Sequence, residues 1–186
     1  SGRDFHHGAP LSVPLTASTL AIGRDRLLRI QDACQCPVGL ENLAFAFSLE
    51  DVKQHGAFLE QLLGPVNGFI ILDLHNLYCQ MKNFDLGFEA LLHSYPLHRV
   101  REIHISGGSW EPSAIIPTRN IRRDTHDDAV PEEVFEMLTQ TIAHCPSLKF
   151  IFLEQLGAGL HTVSQQEQFR SDYLHICEIV KKHNPA

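Results

Sequence analysis

Four short apolar runs in this chain each close on or carry a side chain that can hold a metal ion. Glu41 stands with Asn42 in GLENLAF, Asp73 is followed by His75 and Asn76 in IILDLHNLY, His104 sits in EIHISGG, and Glu154 closes the apolar part of FIFLEQL. One such residue alone reads as a core group with its partner nearby. Four in succession are hard to ascribe to structure, because a buried carboxylate is costly unless it is paired or bound to a cation. A fifth segment, Asp124-Thr125-His126-Asp127-Asp128, adds two donors, since Asp124 and His126 point to the same side of an extended chain. Carboxylates with imidazoles and no thiolate suit Fe, Mn or Zn. The set Glu41, Asp73, His104, Asp124, His126 and Glu154 exceeds what one ion needs, so two or more ions are expected.

The elements that position these residues follow from periodicity. Short apolar or β-branched runs predict strands over residues 37–44, 68–74, 100–105 and 148–153. Amphipathic spacing predicts helices over residues 17–33, 48–63, 84–94, 131–144 and 163–183. Ser48 ahead of Asp51, and Asp128 ahead of Pro131, read as helix starts. Apolar strands separated by helices predict a parallel sheet covered on both faces, and nothing divides the chain, so residues 1–186 are expected to form one domain. Strands starting roughly thirty residues apart fit either a doubly wound sheet or a run of β-α units from a (β/α)8 barrel. A dinucleotide-binding sheet needs a glycine-rich turn after its first strand, and the isolated pair Gly107-Gly108 falls short of it. Polar residues at strand ends, where loops begin, are what a barrel predicts.

Composition narrows the classes. The 186 residues are 44% hydrophobic, enough for a core, and contain no apolar run long enough to span a bilayer. A net charge of -7 weighs against a nucleic-acid partner, which favours a basic face. The chain opens on Ser1 rather than Met and carries no signal segment, so a fragment of a cytoplasmic protein is expected. Cys34, Cys36, Cys79, Cys145 and Cys177 show no zinc-finger spacing and read as reduced thiols, with Cys79 in a loop. Arg119, Arg122 and Arg123, just before Asp124, read as a grip for an acidic peptide or its carboxylate.

Taken in order, GLENLAF, ILDLHNLY, EIHISGG, DTHDDAVPEEVFEML and FLEQL resemble the multinuclear non-haem iron-dependent oxidative enzymes, which have a TIM-barrel fold of the xylose-isomerase type. The segment HGAPLSVPLT also resembles the stretch that precedes a helix and the Glu-Asn strand in that family. The resemblance runs from His7 to about Leu156. It implies that Glu41, Asp73, His104, Asp124, His126 and Glu154 occupy iron-ligand positions. Asn76 falls where some members place a further ligand, and His75 could serve instead. The family binds two or three irons and uses dioxygen to remodel cysteine residues of a ribosomal precursor peptide, often with a companion protein presenting that peptide. Asp124 and His126 are implied at the reactive iron.

Two departures shape the expectation. The family barrel has about four more β-α units before the matched region, and they supply histidine ligands. This chain therefore resembles the C-terminal half of a TIM barrel, with four β-α units, to be completed by an N-terminal half, by a second copy, or not at all. Gly108 stands where the family commonly has another histidine. Alternatives on the same scaffold are a xylose-isomerase-like sugar isomerase, a zinc-dependent hydrolase, and a non-catalytic half-barrel interaction module; the acidic charge weighs against a nuclease.

Overall fold

The computed structural model of the chain describes residues 12–113 and 116–183. The part of HGAPLSVPLT before Ser12 lies outside them. The fold is mixed α/β, and its centre is a parallel sheet of four strands, β1 (Gly39–Glu41), β2 (Phe69–Asp73), β3 (Val100–Ser106) and β6 (Phe150–Glu154), in that spatial order. Helix α1 (Ala17–Cys34) precedes the sheet, α2 (Leu49–Leu63) links β1 to β2, and α3 (Leu74–Phe84) and α4 (Phe88–Leu92) link β2 to β3. Between β3 and β6 come a hairpin of β4 (Trp110–Pro112) and β5 (Asn120–Arg122), and then α5 (Glu132–Ile142). Helix α6 (Val163–His183) closes the described chain. None of the described helices is long and apolar enough to cross a membrane.

Local chemistry explains the helix starts. Thr16 and Thr19 form a reciprocal capping box at α1, and the Ser48 hydroxyl accepts the Asp51 amide at α2. Between β2 and α3 there is no loop. Asp73, the last residue of the strand, is also the N-cap of the helix, its Oδ1 accepting the Asn76 amide at 2.6 Å. That junction fixes three polar residues, Asp73, His75 and Asn76, in one turn.

The two faces of the sheet differ. Ile70, Leu72, Ile103 and Ile105 are completely buried on one face, against a single core that draws Val52, Leu59 and Leu63 from α2, Leu74 and Leu77 from α3, Val134 and Leu138 from α5, and Ile176 and Ile179 from α6. Each side chain of this kind contributes roughly 1.5–3 kcal/mol through burial. Their alternating neighbours project from the other face, where Phe150 and Phe152 are about half exposed (53% and 46%). The expectation of cover on both faces is therefore corrected: among the described residues all the helix packing gathers on one face.

Other differences have local causes. Residues 84–94 are not one helix; the longer helix is α3, whose Leu74, Leu77, Tyr78, Met81 and Phe84 follow helical spacing that the preceding strand signal masked. Cys79 accordingly lies buried within α3 rather than in a loop. β1 is only three residues long, against the eight expected over 37–44. Asp128 does not cap α5: its Oδ1 accepts the adjacent Ala129 amide, and Pro131 stands at the N-cap. All five cysteines are free thiols.

Candidate metal centre

The strand register brings the acidic strand ends to one face. Glu41 is level with Ile71, Asp73 with His104, and Ser106 with Glu154. Residues that pair in a parallel sheet share a face, and so do residues two apart along a strand. Glu41, Asp73, His104 and Glu154 therefore all project from the face without helices. His104 lies two residues before the end of β3, while the other three close their strands.

Donor atoms converge in two groups that share a residue. One ligand atom each from Glu41, Asp73 and His104 lies within 4.8 Å of the others, and the same holds for Asp73, His126 and Glu154. Asp73, fully buried, is common to both. Asp124 stands at the edge of the second group. Its Oδ1 is 2.8 Å from His126 Nε2, 3.2 Å from His75 Nδ1 and 3.5 Å from the Ser106 hydroxyl, which donates to it. His126 itself adopts a left-handed backbone (φ 52°), a costly conformation for a non-glycine residue that is held by its surroundings. Its carbonyl accepts the Leu156 amide at 2.7 Å, which ties the loop to the end of β6.

The fit of these residues to a metal can be tested on their unpaired atoms. Asp73 Oδ2, Asn76 Oδ1 and His104 Nδ1 are buried without a hydrogen-bond partner. Buried polar atoms are nearly always partnered, and these three are donors that a bound cation would satisfy. His104 Nδ1 is only 3.1 Å from Glu154 Oε1, yet the two are not aligned as a hydrogen bond. An imidazole nitrogen and a carboxylate oxygen this close could also serve as two ligands of one ion. The donor set of carboxylate oxygens, imidazole nitrogens and one amide oxygen is hard to borderline, as Fe, Mn or Zn requires. The residues fit.

Electrostatics point the same way. Burial raises Asp73 well above the usual carboxylate range, and Asp124 and Glu41 beside it add to the effect. Burial also raises Glu41, with Glu154 and Asp124 pushing in the same direction against His104. His126 rises to about 9, held as a cation chiefly by its hydrogen bond to Asp124. Burial works against ionisation of Asp124, but His126 and His75 outweigh it and bring its carboxyl down. At His104 burial opposes the charge while Glu154 more than restores it, and Glu154 is lowered in return. Four carboxylates crowded behind so few cationic partners form a site that a divalent cation would neutralise.

Several residues matter here in ways their sequence did not announce. Asn42, fully buried, accepts the Asp73 amide at 2.7 Å and donates to the Asp73 carbonyl at 3.0 Å, so it continues the β1–β2 pairing with its side chain. Asn76 donates to Glu41 Oε1 at 3.2 Å and to the Asn42 carbonyl at 2.8 Å, which orients Glu41 and leaves its own Oδ1 free. His75 is not free to bind an ion as arranged, because both ring nitrogens are engaged: Nδ1 with Asp124 and Nε2 accepting from Arg122 Nε at 3.2 Å. Gly107 and Gly108 serve close packing. A Cβ on Gly107 would fall 2.2 Å from the Ala129 carbonyl, and one on Gly108 would fall 2.2 Å from the Arg123 carbonyl and 2.8 Å from the His75 ring. The pair lets the segment bearing Asp124 and His126 fold onto the end of β3.

Of the expected arginine grip, Arg122 is corrected. Arg119 donates to the Asn83 carbonyl, Arg123 pairs with Glu111 at 2.8 Å, and Arg122 is 6% exposed, between Tyr78 and Trp110. Arg122 is thus withdrawn from any open anion grip, while Arg119 and Arg123 remain at the surface with partners of their own.

A family model described as RiPP precursor modification enzyme MbnB/TglH/ChrH matches residues 1–155. A UPF0276 protein of Caulobacter vibrioides (strain NA1000 / CB15N) is 30% identical over 145 residues, covering 76% of this chain and 49% of that protein. A UPF0276 protein of Chromobacterium violaceum is 29% identical over 133 residues, 71% of this chain and 46% of its own. One from Acinetobacter baylyi is 24% identical over 135 residues, 73% and 45% respectively. The chain spans about half the length of the curated relatives it matches.

Proposed function

Because the chain belongs to the MbnB/TglH/ChrH family of RiPP precursor modification enzymes, we propose that it is one part of a metal-dependent enzyme that oxidises cysteine residues of a ribosomally made precursor peptide, with dioxygen as the oxidant. The observation that carries this reading is the pair of donor clusters sharing Asp73 on the open face of the sheet. In it, Glu41, Asp73 and His104 would hold one ion and Asp73, His126 and Glu154 another, with Asp124 completing the set and the free amide oxygen of Asn76 as a further donor. Two or three irons suit this set, and Zn or Mn would compete for it. Bound iron would supply electron exchange with dioxygen and the Lewis acidity that draws the proton from a substrate thiol.

The chain's own residues prepare that site. The carboxylates of Glu41, Asp73, Asp124 and Glu154 attract cations, and Asn42 and Asn76 lock the two strand ends that carry the first pair. Burial of Asp73 keeps water from competing for it. His126, cationic without metal, must release a proton when it takes an ion, so metal uptake weakens as pH falls.

The sheet, in this reading, is half of a (β/α)8 barrel within a single domain of residues 1–186. Parallel strands in near-sequential order with helices on one face only are how a barrel wall is built, and this supports the assignment. A complementary N-terminal half, or a second copy of the chain, would cover the open face and bring the remaining ligands, with a companion protein presenting the peptide. Five free thiols suit a reducing compartment, and we assign the enzyme to the cytoplasm.

The test is anaerobic purification with the completing chain, iron analysis, and then exposure to dioxygen and a cysteine-containing peptide. A mass change of the peptide that His126→Ala abolishes is expected. Wild-type turnover in that variant would remove His126 from the centre, and isomerisation of a sugar with no peptide altered would replace the oxidase with an isomerase.

A further inference from the structure

The geometry points to Arg122 and His75 as positioning residues for His126: a chain of hydrogen bonds from Arg122 through His75 and Asp124 decides which ring nitrogen of His126 is turned to the ion. This rests on the reading of Asp73, His126 and Glu154 as ligands.

The chain starts from a residue with no choice of role. A guanidinium only donates, so Arg122 Nε, 3.2 Å from His75 Nε2, requires a lone pair there. A second proton on the ring would set two donors against each other in a buried contact. His75 is therefore the neutral Nδ1–H tautomer, and it donates from Nδ1 to Asp124 Oδ1 at 3.2 Å. The His75 side chain is completely buried, so no water substitutes for either contact. Asp124 Oδ1, anchored in this way, lies 2.8 Å from His126 Nε2, an ion-pair contact that favours a proton on that nitrogen, and its Oδ2 is the oxygen left for the donor set. Nε2 of His126 thus keeps its proton, and Nδ1, 3.6 Å from Glu154 Oε2, is the nitrogen left for the ion. A histidine ligand oriented by a carboxylate through its other nitrogen is a common arrangement in metal sites, and loss of the outer partner typically weakens the metal by 10- to 100-fold. Here the arrangement extends two residues further.

Arg122 is held for this task. Its guanidinium carbon lies 5.4 Å from the Tyr78 ring centre and 5.7 Å from that of Trp110, one from α3 and one from the hairpin. The Asn83 side chain holds its backbone from both sides, accepting the Arg122 amide at 2.8 Å and donating to its carbonyl at 2.9 Å. The β4–β5 hairpin, which the sequence presents as a long loop, is thereby the mount that delivers Arg122 to His75.

The experiment uses the 186-residue chain labelled with ¹⁵N-histidine and read by long-range ¹H–¹⁵N correlation, first without metal and then with zinc chloride. Without metal, His75 should give the Nδ1–H pattern; an Nε2–H pattern or an imidazolium at neutral pH would overturn the proposal. With zinc, His126 should keep the Nε2 proton and lose the one on Nδ1, and zinc on Nε2 would overturn it. Arg122→Met, which keeps the aliphatic bulk but not the donor, should mix the His75 tautomers and weaken zinc about tenfold. Arg122→Gln, which can still donate to His75, should recover most of both. Trp110, the single tryptophan, reports by its fluorescence whether the hairpin remains seated in each variant. If Arg122→Met unseats it, the comparison moves to His75→Phe, which keeps a ring but cannot donate to Asp124 and should weaken zinc to a similar degree. Unchanged tautomer and zinc affinity in Arg122→Met would reduce Arg122 to packing. A wild-type chain with the stated His75 tautomer that binds no zinc would sink the metal reading instead and leave the hydrogen-bond chain standing.

Discussion

The same strands serve two ends through alternate residues. On β2, Ile70 and Leu72 enter the helix-covered core while Ile71 and Asp73 face the other way; on β3, Ile103 and Ile105 do the first and His104 and Ser106 the second. The covered face is apolar and without a charge among its fully buried strand residues. The open face carries crowded carboxylates, unpartnered polar atoms and half-exposed aromatic rings. Stability and chemistry are thus separated by a period of two along the chain, and substitutions one residue apart should fail in different ways.

The largest effect should come from the covered face. Leu72→Ala removes a fully buried side chain next to Asp73 and should cost about 2–5 kcal/mol in denaturant unfolding, with metal lost only as the fold is lost. A variant that keeps its stability and loses metal would mean that the two faces are not independent.

Next in size is an acid sensitivity that belongs to the helix layer alone. His55 on α2 contacts the Tyr95 hydroxyl at 3.2 Å, and burial lowers it to about 4 from the ordinary 6.5. Between those values the unfolded chain binds a proton that the folded chain refuses, so stability falls as pH drops from 6.5 and stops falling on this account below 4. The full loss approaches about 3 kcal/mol at about 1.4 kcal/mol per tenfold of proton affinity. His55→Gln, which cannot protonate, should flatten the difference; equal pH slopes for both chains would contradict it.

A smaller effect of opposite sign is expected at Asp73. Because its carboxylate also caps α3, Asp73→Ala removes a helix cap worth about 1 kcal/mol and is not the clean ligand deletion its strand-end position suggests. Asp73→Asn keeps the cap and removes a carboxyl whose ionisation burial opposes, so the metal-free protein should melt at the same temperature or a few degrees higher while losing metal. A lower midpoint would show that Asp73 is stabilised by partners other than an ion.

The smallest change in monomer stability should follow Phe152→Thr, since that ring is nearly half exposed. Its effect should appear in association. The isolated chain is expected to self-associate through the open face and the edges of β1 and β6, and sedimentation should show the variant doing so less. A monodisperse wild-type monomer would favour a self-sufficient open sheet over a half-barrel.

What the sequence disclosed, and what it hid, follows the same division. Glu41, Asp73, His104 and Glu154 were conspicuous because each interrupts an apolar run, and α6 occupies the residues its periodicity marked, Val163–His183. The one-sided cover was hidden because Phe150 and Phe152 read as core by residue type; whether an aromatic is buried depends on what stands opposite. Helix α3 was hidden because its cap is also a strand residue. Arg122 was visible only as one of three cations, since its meaning lies in His75, 47 positions away, and in two rings that reach it from different elements.

The central claim, that the open face is a metal centre built on Asp73, is tested most directly by metal content. The chain, purified anaerobically with its completing half, should carry at least one iron per chain by mass spectrometry, and His104→Ala and Asp73→Asn should each lose most of it while keeping the wild-type circular dichroism. Full iron content in both variants would contradict the account.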